Sequence, residues 1–161
     1  MKAILKSIWS YRLIRLALAG LFLAAAVIKM GNPAVFAVTI EAFGLAPKGL
    51  SMPVALALPV LELAAALGLI LDVRGSLAAI TGLTLLFIFV LSFGLWLGLD
   101  IDCGCYGPGD PEAEAFHGLR TALYRDLLML TGCAFLYWWR QANRSGPVRL
   151  RELVREIIIE R

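Results

Sequence analysis

The sequence predicts an all-α fold: a bundle of four transmembrane helices with both termini in the cytoplasm and an amphipathic interfacial helix at the C-terminus. Three observations predict it. Of 161 residues, 60% are hydrophobic and 17% charged, where soluble domains sit near about half and about a quarter. Mean hydropathy is +0.82. The apolar residues also gather into separate stretches, each near the roughly 20 residues that a helix needs to cross a bilayer. The same figures exclude a disordered chain and a nucleic-acid binder, because a net charge of +3 is small and spread along a greasy chain.

The first stretch, 13–30, has a basic start (Lys2, Lys6, Arg12, Arg15) and could be mistaken for a secretory signal. It is long for one, and more membrane follows it, so it reads as an uncleaved first helix. Gly31-Asn32-Pro33 is its stop signal. The second stretch is 52–71, where Pro53 and Pro59 are expected to kink or break the start and leave backbone groups that need partners. The third, 77–99, carries no charge, and the fourth is 119–139. After Pro147, Leu150, Leu153, Val154, Ile157 and Ile158 recur at helical spacing between arginines, the pattern of a helix lying on a membrane face. The chain thus divides into a four-span membrane domain, 1–140, and a basic amphipathic tail, 141–161.

Orientation follows from lysine and arginine near the span ends. Lys2, Lys6 and Arg12 precede the first span, Arg74 lies between the second and third, and Arg140, Arg144, Arg149, Arg151, Arg155 and Arg161 follow the fourth. The other side has Lys48 and Arg120. The termini are therefore expected inside, in a bacterial inner membrane. The loop after the third span, with Asp100, Asp102, Asp110, Glu112 and Glu114, is then expected in the oxidising periplasm.

That loop holds Asp102-Cys103-Gly104-Cys105-Tyr106-Gly107-Pro108-Gly109. Two thiols separated by one glycine, in an oxidising compartment, tend to join. Extended residues i and i+2 stand near the limit for a disulfide, so the backbone must bend, and Gly104 offers no Cβ to resist. So short a ring is a poor staple, since it removes little unfolded-state entropy. Strain makes the bond easier to reduce. If local charge decides, Cys103 beside Asp102 is the less acidic thiol. Three uses stay open: a redox-active pair, a metal site that recruits His117, or a structural bond, within the chain or to another. No standard zinc spacing is present. Cys133, among Leu130, Thr131, Ala134 and Phe135, reads as a small packing residue.

Ionisable residues inside a span are functional candidates, because desolvating them is costly unless they are paired. Lys29 closes the first span, and Glu62 lies about ten residues into the second, roughly 15 Å deep. Arg125 and Asp126 lie in the outer part of the fourth. Lys29 is expected to pair with Glu62 or Asp126. Arg125 and Asp126 are sequence neighbours and are each expected to find a partner on another helix. Such pairs can serve packing alone. Alternatively, a cation beneath the cysteine loop favours thiolate and Glu62 moves a proton. Arg15 can snorkel and receives no role.

Taken together, Gly20 with Lys29 and Asn32-Pro33, Pro59-Val60-Leu61-Glu62-Leu63, Cys103-Gly104-Cys105-Tyr106-Gly107, and Arg125-Asp126 form a set that resembles the MauE branch of the MauE/DoxX group of redox-associated membrane proteins. The resemblance covers about residues 13–139. Where that family usually has phenylalanine after the second cysteine, this chain has Tyr106. The resemblance implies a four-helix membrane protein with a role in methylamine utilisation or, more broadly, in envelope thiol–disulfide chemistry. It also implies a thioredoxin-like periplasmic partner or a disulfide-containing client, as in methylamine dehydrogenase maturation. In the DoxX group it implies a link to quinone-coupled sulfur oxidation.

Two functions then compete. In the first, Cys103 and Cys105 exchange disulfides, with Glu62 and Lys29 as catalytic candidates and Gly104, Gly107, Arg125 and Asp126 in support. A quinone could serve as the electron carrier near Glu62 and Lys29. In the second, the protein is a non-catalytic scaffold or assembly factor with a docking or metal-carrying loop. A small transporter using Glu62 is a poorer fit, since no inverted repeat is present.

Overall fold

The computed structural model of the chain describes residues 7–44, 47, 49–98 and 119–143. Within them the chain is helical: α1 (Ile8–Gly31), α2 (Pro33–Ala42), α3 (Ser51–Ile70), α4 (Ser76–Trp96) and α5 (Leu119–Asn143). Cys103, Gly104, Cys105, Gly107, His117 and the whole tail from 144 lie outside the described residues.

The four long helices form a closed ring. The most extensive packing is α1 on α3; α3 also packs on α4, α4 on α5, and α5 returns to α1. Tyr11, Leu18, Phe22, Leu69, Ile80, Cys133 and Leu136 meet in its centre, and Cys133 is fully buried, as a packing residue should be. Three of the helices, α1, α3 and α4, are long and apolar enough to cross a membrane, and only 28%, 33% and 28% of their apolar windows are buried inside the protein. The remainder faces outward: Leu13 of α1, Leu61 of α3 and Phe89 of α4 are 70%, 57% and 63% exposed. Apolar surface on that scale needs a lipid solvent. α5 carries Arg120, Arg125, Asp126 and Arg140, so it is less apolar than the other three, but its 25 residues make it about 37 Å long.

Two sequence expectations need correction. Gly31-Asn32-Pro33 does end α1, but the same proline opens a second helix. Its missing N–H costs nothing at a first-turn position and its φ suits a helix start. α2 then packs on α3, and Ser51 Oγ donates to Glu41 Oε1 at 2.5 Å to close the turn between them. Second, of the kink or break expected from Pro53 and Pro59, the break does not occur: α3 runs on through both. Pro53 falls in the first turn, where its amide would have had no intrahelical partner. Pro59 is inside the helix and fully buried, so the Ala55 carbonyl one turn back receives no amide from it.

The two ends of the bundle are built differently. At the α2 end, the Phe43 ring lies on Gly94 of α4; a Cβ there would stand 2.6 Å from Phe43 Cε1 and 3.3 Å from Leu119 Cδ1. The end of α4 and the start of α5 are thus neighbours, and segment 99–118 joins the bundle twice at this end. At the opposite end α3 finishes in a Schellman motif: Val73 N–H donates to Gly68 O at 2.8 Å and Asp72 N–H to Leu69 O at 3.1 Å. Asp72 occupies the left-handed position, φ 55°, that glycine usually fills.

The reason for an aspartate is tertiary. Its carboxylate takes Arg15 from α1 at 2.7 Å and Arg140 from α5 at 2.5 Å, and Tyr11 Oη donates to it at 2.9 Å. Arg140 Nε also donates to Tyr11 Oη, and the Tyr11 ring stacks on Trp139 at 4.4 Å. Arg15 therefore does not simply snorkel, as the sequence suggested. A carboxylate from a turn close in space, invisible to a reading along α1, draws it onto the bundle.

Candidate functional site

The second polar cluster lies in the middle of the bundle, and every long helix contributes to it. Lys29 sits in the last turn of α1, but helical side chains lean toward the N-terminus, so it reaches back into the bundle. There Lys29 Nζ meets Glu62 Oε1 of α3 at 2.5 Å, with the two side chains 3% and 0% exposed. Of the two partners expected for Lys29, the structure selects Glu62. Glu62 is roughly 16 Å along α3 from Ser51.

Aromatic faces complete the ammonium's surroundings. Lys29 Nζ lies 4.7 Å from the Phe87 ring centroid and 5.1 Å from that of Phe36. The negative ring faces favour a cation in a site without bulk water. Neither residue was legible in the sequence. Phe87 sits in an uncharged stretch where no position stands out, and Phe36 sits where a loop was expected.

On the facing side, Arg125 Nε and Nη2 donate to Asp126 Oδ1 at 3.1 and 3.0 Å. The two neighbours thus bond each other, although adjacent positions on a helix were not expected to face one another well. The spacing rule concerns Cβ directions, and the arginine stem is long enough to fold its guanidinium back. Asp126 is buried, with its side chain 4% exposed, while Arg125 is 28% exposed.

Lys29, Glu62, Arg125 and Asp126 all line one cavity of about 20 Å³, closed by Phe22, Thr84, Phe87 and Met129. That is room for about one water molecule. The lining residues that are not fully buried are Leu21 and Ala25 of α1, Phe87 of α4 and Arg125 of α5. Three of the four lie on α1 and α5, so the α1–α5 seam is one side on which the cavity approaches the outside. One to two turns further on, the seam is shut by Leu18, whose Cδ1 would lie 3.3 Å from a Cβ on Gly132. Thr84 is buried with its hydroxyl donated to Ile80 O at 2.8 Å, which leaves the oxygen lone pairs as acceptors.

Chemically the arrangement is a charge-balanced set of two cations and two carboxylates around a water-sized space. It can hold a proton and hand it to a water. A quinone ring is many times larger than that space, so this cavity does not hold one. Among the described residues no group of histidine, cysteine and acidic side chains is placed to hold a metal ion.

The family model described as methylamine utilisation protein MauE matches residues 7–139. A curated relative, the methylamine utilization protein MauE of Paracoccus denitrificans, is 37% identical over 99 residues, which are 60% of this chain and 53% of the relative. The chain thus spans about half the length of the curated relative it matches. No solved structure matches it.

Proposed function

The chain belongs to the MauE family, and from that premise we propose that it is an integral membrane thiol–disulfide redox protein that supports disulfide formation or maturation of an envelope client, in the setting of methylamine utilisation. In this reading α5 is the fourth span, the chain is N-in and C-in in the inner membrane, and the α2 end faces the periplasm. Cys103 and Cys105 are the redox pair.

The observation that carries the reading is Cys103-Gly104-Cys105 within a segment whose two joins, at the end of α4 and the start of α5, stand at one end of the bundle. Cys103 follows Gly98 by five residues, so chain length alone keeps it within about 18 Å of that join. A client thiolate attacks one sulfur of the oxidised pair and forms a mixed disulfide, releasing the other cysteine as thiolate. A second client thiolate attacks the mixed disulfide. The client leaves oxidised, and Cys103 and Cys105 remain as a dithiol carrying its two electrons. A thioredoxin-like periplasmic disulfide takes those electrons by the same exchange in reverse. When Glu62 takes up the thiol proton through the cavity, Lys29 and Arg125 leave the set net positive, which favours thiolate. Gly104 and Gly107 let the short loop bend, and Asp126 holds Arg125.

The test is maturation of the client in cells carrying Cys103→Ser or Cys105→Ser. Each variant is expected to insert normally and to abolish maturation. One of the two should also trap a mixed disulfide, visible as a reducible higher-mass band. Full maturation in both variants, with no trapped species, would assign the protein to the scaffold class instead.

A further inference from the structure

The Lys29–Glu62 pair of α1 and α3 and the Arg125–Asp126 pair of α5 border the same cavity of about 20 Å³, and Thr84 of α4 borders it too. Its lining chooses among small guests. Two cations and two carboxylates balance, so a sodium or chloride ion inside would leave a net charge buried in the bundle, which a dry interior penalises. A neutral guest adds none. The ammonium and the guanidinium can donate hydrogen bonds, while the carboxylates and the Thr84 oxygen can accept them. A water molecule does both, matches the space, and finds here more than the two to four polar partners it needs.

We propose that the cavity is a binding site for one water molecule that bridges Glu62 and Asp126 and makes the two carboxylates a single proton-sharing unit. Each carboxylate has about four lone-pair directions, more than its ion pair uses. Charged oxygens are the strongest acceptors in the lining, so the water's two hydrogens go to them. Lys29, whose ammonium has further N–H groups beyond the one given to Glu62, donates to the water oxygen. Thr84 serves the other protonation state. Its hydrogen is committed to Ile80 O at 2.8 Å, so toward the cavity it can only accept. A carboxylate that gains a proton turns from acceptor to donor, and the Thr84 oxygen then takes the water hydrogen that has lost its place. Transfer conserves the water: one carboxylic acid gives it a proton, and it gives one of its own to the other carboxylate. That this proton comes from the cysteines rests on the redox reading; the water site does not.

The test uses the full chain in a neutral detergent and short X-ray pulses, which split water into hydroxyl radicals where it stands; mass spectrometry then maps the oxidised side chains. Sulfur side chains are the probes. Met30 and Met52, 47% and 43% exposed, report bulk water. Met129 is buried and lines the cavity, while Cys133, one turn further along α5, is fully buried in the packed centre. With a radical scavenger in the bulk, Met30 and Met52 should be protected and Met129 should oxidise about tenfold faster than Cys133, the dry control. Thr84→Ile replaces the hydroxyl by a longer apolar arm that fills the space, and should bring Met129 down to the rate of Cys133. Thr84→Ser should keep the parent rate. Replacing sodium chloride by choline gluconate should change nothing. Protection of Met129 by the scavenger would mean bulk access, and a rate as slow as that of Cys133 would mean a dry cavity. Dependence on the salt would put an ion in the site, and a parent rate in Thr84→Ile would put the water elsewhere. Each of these overturns the assignment. The parent measurement decides occupancy whether or not Thr84→Ile folds, and none of these outcomes bears on Cys103 and Cys105, whose exchange is read by client maturation.

Discussion

At Lys29 and Glu62, two opposite charges are withdrawn from water into contact with each other and with two phenylalanine rings. Each ion lost several kcal/mol of hydration on the way in, and the attraction between them offsets most of it. Removing one partner therefore costs more than removing both. Lys29→Met or Glu62→Gln alone should lower stability by about 3–5 kcal/mol. The double variant Lys29→Met with Glu62→Met should recover at least half of that loss. The measurement is the unfolding midpoint in mixed micelles of mild and denaturing detergent. A double variant as unstable as the sum of the singles would mean that the contact contributes nothing. The same double variant separates packing from chemistry: if the pair tunes the cysteines, the protein folds and client maturation still fails. The candidacy of these residues was legible because a lysine and a glutamate inside apolar stretches must have partners. Asp72 was not, because an acid in a turn looks solvated until the fold brings Arg15 and Arg140 to it.

Among the elements, α2 is the one that sequence reading missed, and its physical basis explains why. It is only ten residues long and carries no charge before Glu41, so it gives neither a span-length signal nor an amphipathic stripe. What holds it is tertiary: Phe36 on Lys29, Glu41 on Ser51, and beyond its end the Phe43 ring on the bare backbone of Gly94. The long helices, by contrast, were legible within a few residues, because hydropathy alone decides them. The continuity of α3 was not, since a proline's effect depends on whether its neighbours in space repair the lost bond. The Phe43 seat makes a prediction whose sign reverses. Gly94→Ala should destabilise the parent by about 1–3 kcal/mol, because the new methyl overlaps the ring. In a Phe43→Ala background the ring overlap is gone, the Leu119 methyl left at 3.3 Å can turn into the vacated space, and the same change should stabilise by about 0.5–1 kcal/mol, the ordinary preference of a helix for alanine. Thermal unfolding of the four proteins in one detergent reads both signs.

For the whole molecule, the decisive question is whether α5 crosses the bilayer with the others. Its charges make it the least apolar of the four long helices, yet they are not scattered: Asp126 is turned into the bundle beside Arg125, and Arg140 is clamped at the far end by Asp72 and Tyr11. The contacts of its two ends, Leu119 beside Gly94 and Arg140 on Asp72, make it run the full height of the ring. We expect a helix that touches both ends of three membrane-length neighbours to share their depth. Positions 7 and 143 should therefore lie on one side and position 50 on the other. In a chain with Cys103, Cys105 and Cys133 replaced by serine, single cysteines at Ser7, Leu50 and Asn143 provide the check. A membrane-impermeant maleimide applied to intact cells should label Leu50→Cys alone, and lysis should expose Ser7→Cys and Asn143→Cys together. Labelling of Asn143→Cys in intact cells would leave α5 short of the cytoplasm. The ring of helices would then have to open to accommodate it, and the shared burial of Lys29, Glu62 and Asp126 would lose its fourth wall.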